Sequence, residues 1–165
     1  MSIDLIKQFA VFIILLLVQG LVFNHIHLFG CATPLLGIIL VLHFRRNQPR
    51  WSALLWSFCL GIGLDVFANT PGVTAATMTL LGFIQPYLFE LFVPRDSAED
   101  LEPSPRTIGL NSFFLYTLIL VVLYCLLYFT LESFNFFNWL LWLECVGASA
   151  LLTVLLVLAL ENFRK

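Results

Sequence analysis

One carboxylate inside an apolar run constrains this chain more than any other feature. Asp65 closes the stretch Gly61-Ile62-Gly63-Leu64-Asp65, and the run breaks at Asn69-Thr70-Pro71-Gly72 before a second apolar run begins. The restart is rich in small residues: Gly72, Thr74, Ala75, Ala76 and Thr77. A carboxylate deep in a membrane helix costs about 2.5–3.5 kcal/mol on insertion scales, so Asp65 is expected to face protein or a wet cavity. A Pro-Gly pair ends one helix and permits a tight reversal. Small residues let the returning helix approach its neighbour closely, which matters where lipid removes the hydrophobic drive between helices. Residues 51–93 therefore read as a transmembrane hairpin with the rest of the chain packed around it. Gly72 is expected at a close helix contact, where Gly72→Val would add bulk.

The surrounding sequence fixes the class. It is 61% hydrophobic and 11% charged, with a mean hydropathy of +0.98, whereas soluble domains carry about 45–50% apolar and about 25% charged residues. The fold class expected is an all-α integral membrane protein, one transmembrane domain over residues 1–165. Seventeen Phe suit lipid-facing surfaces. Cys31, Cys59, Cys125 and Cys145 stand singly in apolar runs without metal-ligand spacing, and are expected as unpaired apolar fillers.

Six spans are expected, over about 4–24, 28–44, 51–68, 72–93, 108–131 and 139–160. A cleaved signal peptide competes for the first run, but no small-x-small site follows Gly20, so it reads as a permanent helix. The second run is short for a span and contains Gly30, Pro34 and Gly37; a kinked, a tilted and a partly re-entrant segment all fit. Residues 94–107 are polar and carry three prolines, and read as an exposed, poorly ordered linker. Six spans put both termini on one side, together with all eight Lys and Arg: Lys7, Arg45, Arg46, Arg50, Arg95, Arg106, Arg164 and Lys165. The positive-inside rule makes that side cytoplasmic.

Few residues offer chemistry. Asp65 lies about fourteen residues, or roughly 21 Å, into the third span, and Glu144 about six residues into the sixth, so both fall in the outer third. They either line an outward-facing polar pocket that takes a ligand or cation, or accept interhelical hydrogen bonds, or snorkel to the interface. His25 and His27 flank Ile26 at the outer end of the first span and lack a third metal ligand. Pro86 cannot donate its backbone bond and crowds the Gly82 carbonyl, so a kink is expected, with Gln85 meeting part of what is freed. No catalytic motif, cofactor signature or metal set is present, and no basic patch beyond topology, so neither an enzyme nor a nucleic-acid binder is expected.

Asn24-His25-Ile26-His27-Leu28-Phe29-Gly30-Cys31-Ala32-Thr33-Pro34, Gly61-Ile62-Gly63-Leu64-Asp65, Asn69-Thr70-Pro71-Gly72, and Gln85-Pro86-Tyr87 followed by Pro94-Arg95-Asp96 resemble the rod shape-determining protein MreD family. The words cover roughly residues 15–96; later helices match by length and hydropathy. The resemblance implies a bacterial inner-membrane component of the cell-wall elongation machinery. It would act with MreC-type protein, MreB, RodA and penicillin-binding protein 2 in the lipid bilayer. It also implies a six-helix bundle similar to the substrate-binding subunits of energy-coupling-factor transporters. No catalytic residue comes with the family; Asp65, Pro71 and Gly72 match its pattern, and Asn69, Gln85, Pro86 and Glu144 complete the structural-functional candidates. The expected function is a non-catalytic scaffold that binds membrane proteins; the alternative is a vitamin-like small-molecule carrier with its pocket near Asp65 and Glu144.

Overall fold

The computed structural model describes residues 2–22, 34–93, 101–132 and 139–163. These are mostly helical, with no strand among the described residues. Helix α1 (Ser2–Leu17) widens into a π-helical turn over Val18–Val22. A short α2 (Ile38–Leu42) follows, then α3 (Arg50–Ala68), α4 (Val73–Phe92), α5 (Leu110–Glu132) and α6 (Trp139–Phe163). Four helices, α3 to α6, are long and apolar enough to cross a membrane. That is the composition and length of an integral membrane protein.

The hairpin helices fall where the apolar runs predict them, because Asn69-Thr70-Pro71-Gly72 supplies both a stop and a start. The second expected span differs. Residues 28–33 lie outside the described residues, and from Pro34 onward only Ile38–Leu42 is α-helical. Pro34 has no N–H to give, and the chain regains helical bonding through tight contacts, Ile39 N to Leu36 O at 3.0 Å and Leu40 N to Gly37 O at 3.2 Å. The linker also differs in its described part. Pro103 and Ile108 are buried, and Arg46 N donates to Leu101 O at 3.2 Å, so 101–108 is docked on the bundle. Residues 94–100 lie outside the described residues.

Packing runs α3 on α4, α4 on α5 and α5 on α6, with α1 and α2 against the first of these pairs. Helix α5 is the axis of the bundle: Tyr116, Leu120, Val121, Tyr124 and Cys125 are buried on it. The outward faces stay apolar, as at Ile14, Val66, Phe83, Leu91, Leu140 and Leu151. Such continuous apolar exposure is a liability in water and a requirement in hydrocarbon.

Candidate functional site

Helix α3 carries Ala53, Ser57, Gly61 and Asp65 at four-residue intervals, which puts them on one face. All four are buried against α4. The approach is backbone to backbone: a Cβ on Gly61 would sit 2.4 Å from Ala75 Cα and 2.8 Å from Ala75 N. One turn towards the other end, a Cβ on Gly82 would meet Ser57 Oγ at 2.6 Å, while that hydroxyl donates to Ala53 O at 2.8 Å. This stripe of small residues is what brings Asp65 to the first turn of α4.

Asn69 ends α3 in the left-handed conformation (φ 55), and its N–H donates to the Asp65 carbonyl. Gly72 precedes α4 at φ 86 and has no side chain to cap it. Asp65 supplies the cap from the neighbouring helix. Its Oδ1 accepts from Thr74 N at 2.8 Å and Thr70 Oγ1 at 3.2 Å. Its Oδ2 accepts from Ala75 N at 2.9 Å and Gly72 N at 3.1 Å. These backbone donors are groups that a helix start leaves without intrahelical partners. The carboxylate also faces the positive end of the α4 dipole. Helix α5 closes over it, with the Tyr128 hydroxyl reaching Thr70, and Asp65 is left 6% exposed.

Magnitudes decide what this carboxylate does. Burial in hydrocarbon costs about 2.5–3.5 kcal/mol, whereas hydrogen bonds to a charged group contribute about 1.5–3 kcal/mol each. Four of them offset the cost. A carboxylate also has about four lone-pair directions, and four donors occupy them. Asp65 is therefore saturated by its own hairpin, and its oxygens are committed before any ligand arrives.

Of the other predicted residues, Pro71 is used as expected, whereas Gly72 and Gln85 are not. Pro71 forms the turn with Asn69 and Gly72. Gly72 has nothing within 4 Å of an added Cβ, so its role is the positive φ and the close contact belongs to Gly61. Gln85 does not serve the carbonyl freed by Pro86; its Nε2 donates to Tyr116 Oη at 2.9 Å and Phe44 O at 3.4 Å. It thus ties α4 to α5 and to the segment after α2. Helix α4 continues through Pro86 to Phe92. Glu144 is exposed on α6. His25, His27 and Cys31 lie outside the described residues.

Two polar clusters were not anticipated. Gln19, in the π-helical turn, donates from Nε2 to Pro34 O at 2.8 Å and accepts from Leu36 N at 2.7 Å through Oε1. Thr153 accepts from Leu35 N at 3.2 Å and donates to Ser149 O at 2.7 Å. Together they satisfy the irregular backbone around Pro34, which has no helical partners of its own. The signal in the sequence is the one that flagged Asp65, a lone polar side chain in an apolar run. At the far end from the hairpin, His43 Nε2 lies 3.1 Å from Glu161 Oε2, and Arg45 Nη2 lies 2.6 Å from Glu102 Oε1. No protein-family model, curated protein or solved structure matches this chain.

Proposed function

We propose that this protein is a non-catalytic scaffold or regulatory subunit of the bacterial cell-wall elongation complex, similar to MreD. In this reading it sits in the inner membrane with six crossings and both termini cytoplasmic. The observation that carries it is the saturated carboxylate: the side chain best suited to chemistry in the membrane is spent on holding α3 against α4. What remains for function is the surface of the helices. The contacts Gln8 to Gln48, His43 to Glu161 and Arg45 to Glu102 gather the basic segment and both chain-end helices at one end, which supports the six-crossing, cytoplasmic assignment. MreC-type protein, MreB, RodA and penicillin-binding protein 2 are the partners proposed, docking through helix faces or the segment joining α4 to α5. The carrier alternative relies on Asp65 and Glu144 lining one pocket, and Asp65 has no acceptor capacity left for it.

The test is gentle solubilisation of the tagged protein, with mass spectrometry of what accompanies it. MreC-type protein and the RodA pair should be recovered, and depletion should abolish rod shape. Recovery of a stoichiometric water-soluble compound without those partners would replace the scaffold by a carrier.

A further inference from the structure

A cavity of about 740 Å³ lies between α1, α2 and α6, at the end remote from Asp65. That is within the range of about 300–1,000 Å³ typical of small-molecule sites. Its polarity is graded. One end is formed by Gln8, His43, Arg45, Glu102 and Glu161. Beyond them the walls are aliphatic, including Val11, Ile14, Val18, Leu36 and Leu156. From Gln8 to Val18 the α1 wall rises about 15 Å at about 1.5 Å per residue. Half of a hydrocarbon core of about 30 Å is the same length. The groove is one leaflet deep.

It also opens sideways. Val11, Ile14 and Leu160 line it and yet are 39%, 59% and 47% exposed. A water-soluble compound would leave these side chains uncovered, whereas a hydrocarbon chain entering from the leaflet would cover them. The charged end narrows the choice of head group. Arg45 reaches Glu102 with both Nε (2.7 Å) and Nη2 (2.6 Å). His43 holds Ile39 O at 2.9 Å through Nδ1 and Glu161 at 3.1 Å through Nε2. Each basic group is matched by a carboxylate, so these four groups present no surplus positive charge. A head carrying both ammonium and phosphate complements alternating acids and bases; an anionic head finds no surplus positive charge among these four groups to draw it.

We propose that this groove binds one zwitterionic glycerophospholipid, with its head at the His43–Glu161 and Arg45–Glu102 pairs and an acyl chain along α1 to Val18. The site is independent of the scaffold reading, since it uses no protein partner.

The experiment uses the full chain reconstituted in vesicles of equal phosphatidylethanolamine and phosphatidylglycerol. Bulk lipid is stripped stepwise, and retained lipid is counted by native mass spectrometry. One phosphatidylethanolamine per chain should persist. Ile14→Trp and Leu160→Trp fill the groove from exposed positions; each should lower retention by about tenfold while the unfolding midpoint stays put. Glu102→Gln removes a negative charge beside Arg45 and should shift preference towards phosphatidylglycerol by about fivefold, from roughly 1 kcal/mol per unit charge. Loss of all lipid during stripping, equal retention of both lipids by the unmodified protein, or retention indifferent to Trp would overturn the site. Because the vesicles contain no elongation proteins, this test and the co-purification test fail separately.

Discussion

The two sides of the bundle solve the same membrane problem in opposite ways. On the α3–α4 side two regular helices touch through glycine and serine, and one carboxylate closes the turn between them. Every partner of Asp65 lies within ten residues along the chain. On the α1–α2–α6 side an irregular segment at Pro34 is held by Gln19 and by Thr153, the latter 118 residues away from Leu35. That side also contains the groove. Local hydrogen bonding with close backbones gives a dense, self-sufficient unit, while long-range side-chain bridging leaves room. Rigidity and space are thus divided between the two halves.

The density of the hairpin is its weakest point to substitution. Gly61→Val should have the largest effect of any change considered, since its Cβ alone would overlap Ala75 backbone that cannot give way. A loss of about 3–5 kcal/mol is expected, seen as loss of folded protein after solubilisation. Gly72→Ala is the contrast: it finds open space and costs only the strain of a positive φ, about 1–2 kcal/mol. Equal damage from both would mean the helices are not in backbone contact.

Asp65→Leu comes next. It leaves the N–H groups of Gly72, Thr74 and Ala75 without an acceptor and should cost about 2–4 kcal/mol. Asp65→Asn keeps one acceptor oxygen and should cost about half of that. Hydrogen exchange checks the mechanism: protection should fall first at Thr74 and Ala75. Loss spread evenly over the bundle would assign Asp65 to a wider network.

Gln19→Leu and Thr153→Val probe the looser side. Each removes one side-chain bridge to the Pro34 segment, and about 1–2 kcal/mol is expected for either. Because both hold the same short segment, their effects should not add, and a double-mutant cycle reads the coupling. Strict additivity would mean that Pro34 and Leu35 are anchored separately.

The contrast also explains what was legible in the sequence. The hairpin is encoded locally: Asn69, Pro71 and Gly72 set the turn, small residues recur every four positions, and Asp65 stands out against its apolar neighbours. The donors to Asp65 were less visible, because they are backbone groups and any sequence has those. Around Pro34 the sequence announces a break, not its remedy. Gln19 and Thr153 come from separate elements, and their meeting depends on how α1 and α6 pack. The groove was illegible for the same reason: it is a space between helices, and its walls are ordinary aliphatic residues. Its charged end joins residues as distant as His43 and Glu161.

Glu144 sets the smallest expected effect and the sharpest test of the boundary between the halves. The sequence pairs it with Asp65 by expected depth alone, both being read into the outer third of a span. The structure separates them by use: Asp65 is buried and filled, while Glu144 is exposed on α6. Glu144 follows Trp139 by five residues and Trp142 by two, and the rings of that pair stack 6.1 Å apart. Stacked tryptophans suit the headgroup level, and a carboxylate so near it can reach water by extending along the helix. Glu144→Gln should then shift the unfolding midpoint of the isolated protein by no more than a surface substitution does, about 0.5 kcal/mol. It should also leave exchange at Thr74 and Ala75 unchanged. A loss comparable to that of Asp65→Asn, with exchange rising at those same amides, would join the two acids in one site and return the outward-facing pocket as a working alternative.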